Sequence, residues 1–280
     1  MAVVSVEEVS GRAAFKRFFE FPYLQFREEP RWSAPLVGYE RKRLDPHQPY
    51  FDRGDGEYFL ARRGGTVAGR ISAHVAAKGE EAGWFGFYDV VDDPAVAAAL
   101  IAAARDWLRE RGCTTMTGPA SFTADEELGI LVEGFEIAGT TGRPWHPPWY
   151  AAHLESAGLQ PGDEHRTWRL PAEGTTSFTL AGGESPMVGR FADTRIVLPG
   201  IVAVPDLTPA RNSAIALARL AKRKQWDGCT IVALDGDPAA LVPQLQAAAG
   251  AAGYQWIVSP WTADPDAAPE TVHARFTMPL

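Results

Sequence analysis

The chain has 280 residues, of which 46% are hydrophobic and 22% charged, the composition of a folded globular protein rather than of a disordered one. Its formal net charge of -8 argues against a nucleic-acid-binding surface over the whole chain. No apolar run approaches the roughly 20 residues that a membrane-spanning helix needs, and the N-terminus lacks the pattern of a secretory signal. We therefore expect a cytoplasmic protein that binds neither membrane nor nucleic acid.

The first part of the sequence predicts a strand and a helix, followed by a hairpin. The strand and helix fall within residues 3–21, and residues 22–36 are rich in proline and aromatic side chains. Two strand-like runs at residues 57–62 and 66–74 are joined by Gly64-Gly65. Such a dipeptide favours a tight turn between antiparallel strands.

The unit that organises the chain is a strand, a helix and a second strand. Residues 84–91 are aromatic or β-branched almost throughout, which predicts a strand. Asp93 and Pro94 suit the cap and the first turn of a helix over residues 95–111, and another strand begins at Cys113. A strand, helix and parallel strand in this order need a sheet with helices on its faces, so the predicted fold class is α/β.

The remaining sequence predicts further strands and helices. After an irregular stretch over residues 120–144, residues 149–156 predict a helix and residues 165–170 a strand. Residues 196–204 predict an apolar strand, and residues 210–226 predict a helix with alanine and leucine on its inner face.

Short matches between the two parts of the chain indicate a tandem arrangement. Gly228-Cys229 follows the second-half helix as Gly112-Cys113 follows the first-half helix. We therefore expect two related α/β halves, residues 1–170 and a shortened second half at residues 171–280, with the two cysteines at equivalent strand starts. Because these cysteines lie far apart in sequence, they predict neither a disulfide framework nor a metal site.

The order of elements and a set of scattered motifs resemble the GCN5-related N-acyltransferase (GNAT) superfamily, and the first half resembles a bacterial branch of it described as N-acetyltransferases. The motifs are Phe21-Pro22-Tyr23-Leu24, Pro30-Arg31-Trp32, Gly69-Arg70-Ile71, Phe85-Gly86-Phe87, Gly118-Pro119, Glu126-Glu127-Leu128-Gly129-Ile130-Leu131 and Pro147-Pro148-Trp149-Tyr150. The resemblance implies a tandem GNAT-like fold of mixed sheets flanked by helices. It also implies a transferase that uses acetyl-CoA or another acyl-CoA as co-substrate.

The resemblance further implies that the pyrophosphate of acyl-CoA binds at the N-terminus of the helix after the long central strand, where backbone N–H groups favour an anion. In the first half this turn is Asp92-Asp93-Pro94, whose carboxylates repel phosphate. We therefore predict that the second half binds the cofactor, the alternative being a polar first turn of a surface helix. The candidate residues are Val202, Val204, Arg211, Asn212, Ser213 and Ala214.

On the acceptor side, the resemblance implies an acid that protonates the leaving thiolate. Tyr150, at the start of a helix after two prolines, stands where the resemblance places a tyrosine acid, and the alternative is a half-buried aromatic residue. The surrounding aromatic loop is expected to contact the substrate through Trp145, His146 and Trp149.

The resemblance also implies a base that accepts a proton from the amine. Glu126 and Glu127, in the loop after the strand that ends at Pro119, are candidates, with a solvated loop as the alternative. Asp89 on the central strand is another candidate, with a strand-end cap as the alternative. A carboxylate serves as a base near neutral pH only if burial or its neighbours raise its pKa.

Three functions agree with these features. The first, which we expect, is an acyl-CoA-dependent transferase that acylates an amine of a small molecule. The second is an aminoacyl-tRNA-dependent peptidyl transferase, because tandem versions of the fold include such enzymes, although a chain of net charge -8 offers little surface for RNA. The third is a non-catalytic binding or accessory protein with a GNAT fold, which the acidic turn at Asp92-Asp93 favours.

Overall fold

The computed structural model describes residues 3–35, 37–122, 128–140, 142–172, 179–180, 196–198, 201–205, 228–234, 237–251, 254–260, 262, 264 and 266–280. The α-helices in these ranges are α1 Gly11–Gln25, α2 Val37–Arg43, α3 Pro94–Glu110, α4 Trp149–Ser156 and α5 Pro238–Ala251. The strands are β1 Val4–Glu8, β2 Asp55–Arg63, β3 Thr66–Val75, β4 Ala82–Val90, β5 Thr115–Gly118, β6 Ile130–Glu133, β7 Gln160–Pro171, β8 Thr179–Leu180, β9 Ile196–Leu198, β10 Ile201–Pro205, β11 Gly228–Leu234, β12 Trp256–Ser259 and β13 Thr271–Pro279.

The described strands form one mixed sheet in the order β1-β2-β3-β4-β5-β13-β7-β12-β11-β10-β9-β8, with β6 paired to β13 outside this path. Helices flank the sheet, so the predicted fold class, a tandem α/β architecture with mixed strands, is confirmed. Among the described helices, none is long and apolar enough to cross a membrane.

The unit β4–α3–β5 has the predicted form. The strands pair in parallel, and the Asp93 side chain accepts hydrogen bonds from the first turn of α3, as its cap position requires. Val96, Leu100 and Leu108 repeat at helical spacing and are fully buried against the sheet. The predicted hairpin of β2 and β3 is also confirmed.

A second strand–helix–strand unit lies in the other half, at a position that differs from the one predicted. β11 and β12 pair in parallel across α5, and Asp237 caps α5 ahead of Pro238 as Asp93 does ahead of Pro94. On the outer side of the first unit β3 pairs antiparallel with β4, and on the outer side of the second unit β10 pairs antiparallel with β11. By topology, therefore, β11 corresponds to β4 and β12 to β5.

Three predictions about the second half are therefore wrong. Residues 196–204 form two antiparallel strands, β9 and most of β10, rather than one, and β10 pairs antiparallel rather than parallel with β11. Cys229 lies in β11, whereas Cys113 precedes β5, so the cysteines do not occupy equivalent strand starts. Gly-Cys does not mark equivalent positions in the two units, whereas Asp-Pro marks the helix start in both.

The two strands at the centre of the sheet are β13 and β7, here called the seam. β13, from the end of the chain, pairs antiparallel with β5, and β7 pairs antiparallel with β12. β13 and β7 also pair with each other. The last strand of the chain thus completes the sheet edge of the first half, while the domain limits 1–170 and 171–280 stay a prediction.

Candidate active site

The candidate site lies where β4 and β5 separate. The two strands pair only from Ala82 opposite Thr115 to Trp84 opposite Thr117. The Ala120 N–H then donates to the Phe85 carbonyl at 2.8 Å, and a Cβ on Gly86 would lie 2.0 Å from the Ala120 oxygen. Glycine is therefore required at position 86, because no larger residue allows this approach.

β4 contains a bulge directly after this contact. Arg70 of β3 faces Asp89, whereas Ser72 faces Gly86, so three steps on β4 match two on β3. Phe87 within the bulge has a φ of 45°, a left-handed conformation that a bulky side chain rarely adopts. Bulges often re-aim side chains beside active sites, and this one brings Tyr88 and Asp89 into the positions described below.

A buried ion network holds the bulge. Arg70 Nε donates to Asp89 at 2.7 Å, and Arg43 of α2 pairs with Glu40 at 2.6 Å. Arg70 lies 3.8 Å from Glu40, which connects the two pairs. The Arg43 guanidinium also lies over the ring of Phe87, 4.8 Å from its centroid. Two acids and two arginines balance in charge, as burial requires.

Tyr150 lies at the end of β4, beyond the point where β4 separates from β5. It is fully buried, and its hydroxyl oxygen accepts a hydrogen bond of 2.9 Å from the backbone N–H of Val90, the last residue of β4. Its ring packs against those of Tyr88 and His146, at centroid distances of 5.1 Å and 5.6 Å. Burial and the charge of Asp89 raise the pKa of Tyr150 well above its usual value, so the hydroxyl keeps its proton at neutral pH.

The three predicted substrate residues surround Tyr150 to different degrees. His146 Nδ1 accepts from the Leu131 N–H at 3.1 Å, which places the imidazole between β6 and Tyr150. The indole N–H of Trp145 donates to the Phe135 carbonyl at 2.8 Å, so this bond connects the two ends of the segment from Phe135 to Trp145. Trp149 is partly buried, and its indole N–H has no hydrogen-bond partner among the residues that the structure describes.

Asp89, a predicted base, is brought close to Tyr150 but is held by Arg70, and its role as a base stays a prediction. Glu126, Glu127 and the predicted cofactor residues Arg211, Asn212, Ser213 and Ala214 lie outside the described residues. Val202 and Val204 lie in β10, whose antiparallel pairing with β11 differs from the parallel arrangement on which their assignment was based.

The turn at the start of α3 is occupied by the carboxylates of the chain itself. Asp93 accepts from Ala95 N–H at 3.0 Å and from Arg63 Nε at 2.7 Å. Partial burial raises the pKa of Asp93, but the hydrogen bonds from Arg63 and the helix N–H groups lower it by more. The net pKa is lowered, so Asp93 remains charged. Asp92 lies 3.2 Å from His153 Nε2. These contacts agree with the prediction that this turn is unsuited to phosphate.

Sequence alone does not identify Glu40 and Arg43 as partners of the site, because they lie far from Asp89 in the chain. The available signal was a charged residue within an apolar strand: Arg70 interrupts β3 in the motif Gly69-Arg70-Ile71. A charge in such a position needs a buried partner, but the sequence does not show which residue supplies it.

Comparison with known proteins gives two partial relatives. Protein YghO of Escherichia coli is 35% identical over 158 residues, which cover 55% of this chain and 40% of that protein. A bacterial ceramide synthase of Caulobacter vibrioides is 40% identical over 164 residues, which cover 56% of this chain and 43% of the synthase. The chain thus spans about two fifths of the length of these relatives. No protein-family model matches it.

Comparison with solved structures extends over nearly the whole chain. A tandem GNAT protein from the clavulanic acid biosynthesis pathway has 13% sequence identity and a TM-score of 0.53, and the match covers 99% of this chain and 98% of that protein. At this identity the likeness shows the fold alone, and the chain accordingly has a tandem GNAT fold.

Proposed function

We propose that this tandem GNAT fold is an acyl-CoA-dependent transferase that acylates the amine of a small molecule. The observation that carries the proposal is the Tyr150 hydroxyl, which is fixed on the backbone of β4 at the point where β4 has separated from β5. A proton donor held at one place by the fold is what a thioester transfer needs for its leaving group.

For the acceptor, we propose a long-chain amino alcohol. Support comes from the relative named bacterial ceramide synthase, 40% identical over 56% of this chain. Ceramide is the amide of a fatty acid with such an amine. Aromatic side chains that pack against Tyr150, including Tyr88 and Trp149, agree with an apolar substrate.

The reaction forms a C–N bond and breaks a C–S bond. The amine attacks the thioester carbonyl and loses a proton, and the sulfur leaves as a thiolate that gains one. Tyr150 is suited to the second transfer, because its oxygen accepts from Val90 and its own hydrogen stays available for donation. His146, beside the same ring, uses Nδ1 as an acceptor and so carries its proton on Nε2 when neutral.

The phosphates of acyl-CoA need donors that the starts of α3 and α5 do not offer. Asp93 and Asp237 occupy the first turns of α3 and α5, and a proline follows each of them. Arg211, Asn212 and Ser213 remain our proposed phosphate contacts. Calorimetric titration with acyl-CoA tests them: reversal of charge in Arg211→Glu should weaken binding by more than about 10-fold, and unchanged affinity would contradict this placement.

The same two capped turns favour a second candidate, a non-catalytic binding protein that retains the fold. The deciding experiment combines the purified chain with a long-chain acyl-CoA and a long-chain amino alcohol, and measures free thiol and amide product. A long-chain alcohol without the amine is the matched control. Amide formed only with the amine supports the transferase, whereas no product together with no acyl-CoA binding supports the second candidate.

A further inference from the structure

The segment that contains α1 and α2 differs in charge from the rest of the chain. Residues 11–43 hold eight arginines and lysines and four glutamates, so their net charge is +4. Because the whole chain has a net charge of -8, the residues outside this segment carry a net charge of -12. The charge of the whole chain therefore conceals a basic segment.

Half of the cations in this segment have an acidic partner within it. The pairs are Lys16–Glu20, Arg27–Glu28, Arg31–Glu29 and Arg43–Glu40. The other four cations are exposed and form no ion pair among the residues that the structure describes; they are Arg12, Arg17, Arg41 and Lys42. Four uncompensated positive charges at a surface favour an anionic partner.

Both helices cover the same face of the sheet. Arg70 of β3 donates to the Phe18 carbonyl of α1 at 3.1 Å and lies 3.8 Å from Glu40 of α2. A Cβ on the preceding residue, Gly69, would contact Leu100 of α3. Because adjacent residues of a strand point to opposite faces, α1 and α2 lie on one face of the sheet and α3 on the other.

A groove joins the cations of the two helices. Its volume is about 1140 Å³, and both Arg12 of α1 and Arg41 of α2 line it. Its apolar lining includes Phe15, Phe19 and Tyr58, and the Arg41 guanidinium lies 5.5 Å from the centroid of the Phe19 ring. The unpaired cations thus stand beside an apolar surface.

Apolar side chains are exposed on the same two helices. Leu24 of α1 is 65% exposed and Val37 of α2 is 37% exposed, which makes them two of the three exposed large hydrophobic side chains in the described ranges. Leu24 follows Arg17 by seven residues and Arg41 follows Val37 by four, so on each helix an apolar residue and a cation share one stripe. We call the following six residues the α1–α2 surface: Arg12, Arg17, Leu24, Val37, Arg41 and Lys42.

We propose that the α1–α2 surface docks on an anionic phospholipid bilayer, with its four cations at the headgroup phosphates and its two aliphatic side chains among the upper acyl carbons. Unpaired cations next to exposed aliphatic side chains are what a helix needs to lie in such an interface. RNA also attracts cations, but it binds exposed side chains by stacking on aromatic rings, which leucine and valine do not provide.

This contact needs no membrane-spanning segment. It replaces the expectation of no membrane partner, which considered only spanning segments and the charge of the whole chain. The proposal stands on charge and exposure and does not depend on the acyl transfer proposed above.

The test is co-sedimentation of the full chain with vesicles of equal parts phosphatidylglycerol and phosphatidylcholine, and with vesicles of phosphatidylcholine alone. The chain should sediment with the anionic vesicles and much less with the neutral ones. Binding should weaken as the ionic strength rises from about 0.1 M to about 1 M, because salt screens exposed charges.

Two variants and a matched control locate the contact. Arg17→Gln with Lys42→Gln should weaken binding to the anionic vesicles by about 25-fold, at about 5-fold for each cation. Leu24→Gln should weaken it by about 10-fold, because one leucine side chain no longer enters the lipid. Arg105→Gln with Arg109→Gln removes two cations from α3, on the other face of the sheet, and should leave binding unchanged.

Equal binding to the two kinds of vesicle, no binding to either, or wild-type binding by the variant of Arg17 and Lys42 would overturn the proposal. A transfer RNA that binds the chain more tightly than the anionic vesicles do, and that the same variant releases, would assign the surface to RNA and overturn it as well. If a variant does not fold, the wild-type chain decides: binding that is insensitive to salt and to phosphatidylglycerol overturns the docking.

Discussion

Among single residues, Tyr150 combines a structural role with a proposed catalytic role. Its oxygen satisfies the N–H of Val90 at the end of β4, and the Tyr150 side chain is fully buried. A buried backbone donor needs such a partner, so the hydroxyl has a structural reason to be present even without catalysis. An experiment on Tyr150 must therefore separate the two parts.

We expect Tyr150→Phe to lower the rate of CoA release by about 10²- to 10⁴-fold with a working acceptor, the effect of one positioned acid. It should also lower the free energy of unfolding by about 1–3 kcal/mol, because the Val90 N–H loses its partner. Rates measured well below the unfolding midpoint separate the two effects.

Tyr58→Phe is the control, since its buried hydroxyl makes a longer bond of 3.4 Å to Leu44 O, in a different core cluster. This variant should retain the rate. A Tyr150→Phe enzyme that releases CoA at the wild-type rate would show that the hydroxyl has the structural part alone.

At the scale of elements, the bulge in β4 depends on the ion network beneath it. Asp89 and Arg70 are nearly buried, with side-chain exposures of 12% and 5%. Removing one partner of a buried pair leaves an uncompensated charge, which costs more than the pair itself contributes.

Asp89→Asn should therefore lower the free energy of unfolding by about 3–5 kcal/mol, measured by chemical denaturation. The matched control is Glu7→Gln, which breaks the pair between β1 and Arg62, where the glutamate side chain is 47% exposed. That change should cost less than about 1 kcal/mol. Similar costs for the two variants would contradict a structural role for the network.

The strand–helix–strand units show how much of each element the sequence predicts. Asp-Pro at the start of α3 and α5 is local chemistry, since the carboxylate caps the helix and proline suits its first turn. The pairing of β10 with β11 is not local. Apolar strands of similar length read alike whether they pair parallel or antiparallel, which is why that prediction was wrong.

For the whole molecule, the seam makes the two halves depend on each other. Phe276 of β13 is 1% exposed, and β13 lies between β5 and β7, pairing with β5 from Phe276 to Pro279 and with β7 from Thr271 to Thr277. Removing this strand opens two sheet edges and exposes the apolar side chains beneath it.

A chain that ends before Thr271 should therefore fail to give a cooperative unfolding transition, and a synthetic peptide of residues 271–280 added in trans should restore it. A peptide with Phe276→Asp is the control and should not restore folding, because it places a charge in the core. A truncated chain that unfolds as cooperatively as the full one would contradict the dependence.

Stability of the whole fold should also depend on pH through its buried histidines. Burial lowers the pKa of His74 to about 3, and its ring packs against Tyr50 and Phe122. Between that value and the unfolded pKa of about 6.5, the unfolded chain binds a proton that the folded chain excludes. Stability is therefore lost as pH falls below about 6.5, by up to roughly 1.4 kcal/mol per pH unit for this residue.

His74→Phe keeps an aromatic ring and removes this dependence. As pH falls from about 6.5 toward 4, the wild-type chain should lose free energy of unfolding relative to the variant. Parallel curves for His74→Phe would contradict the burial effect.

The sequence by itself determined what depends on neighbours along the chain: the helix cap at Asp93, the β2–β3 hairpin, the β4–α3–β5 unit and the position of Tyr150 at the start of α4. Only the tertiary structure decided that β13 enters the sheet between β5 and β7, that Glu40 and Arg43 connect to Asp89, and that His165 faces His273. These contacts join residues distant in sequence, and their partners are selected by burial, which no local pattern records.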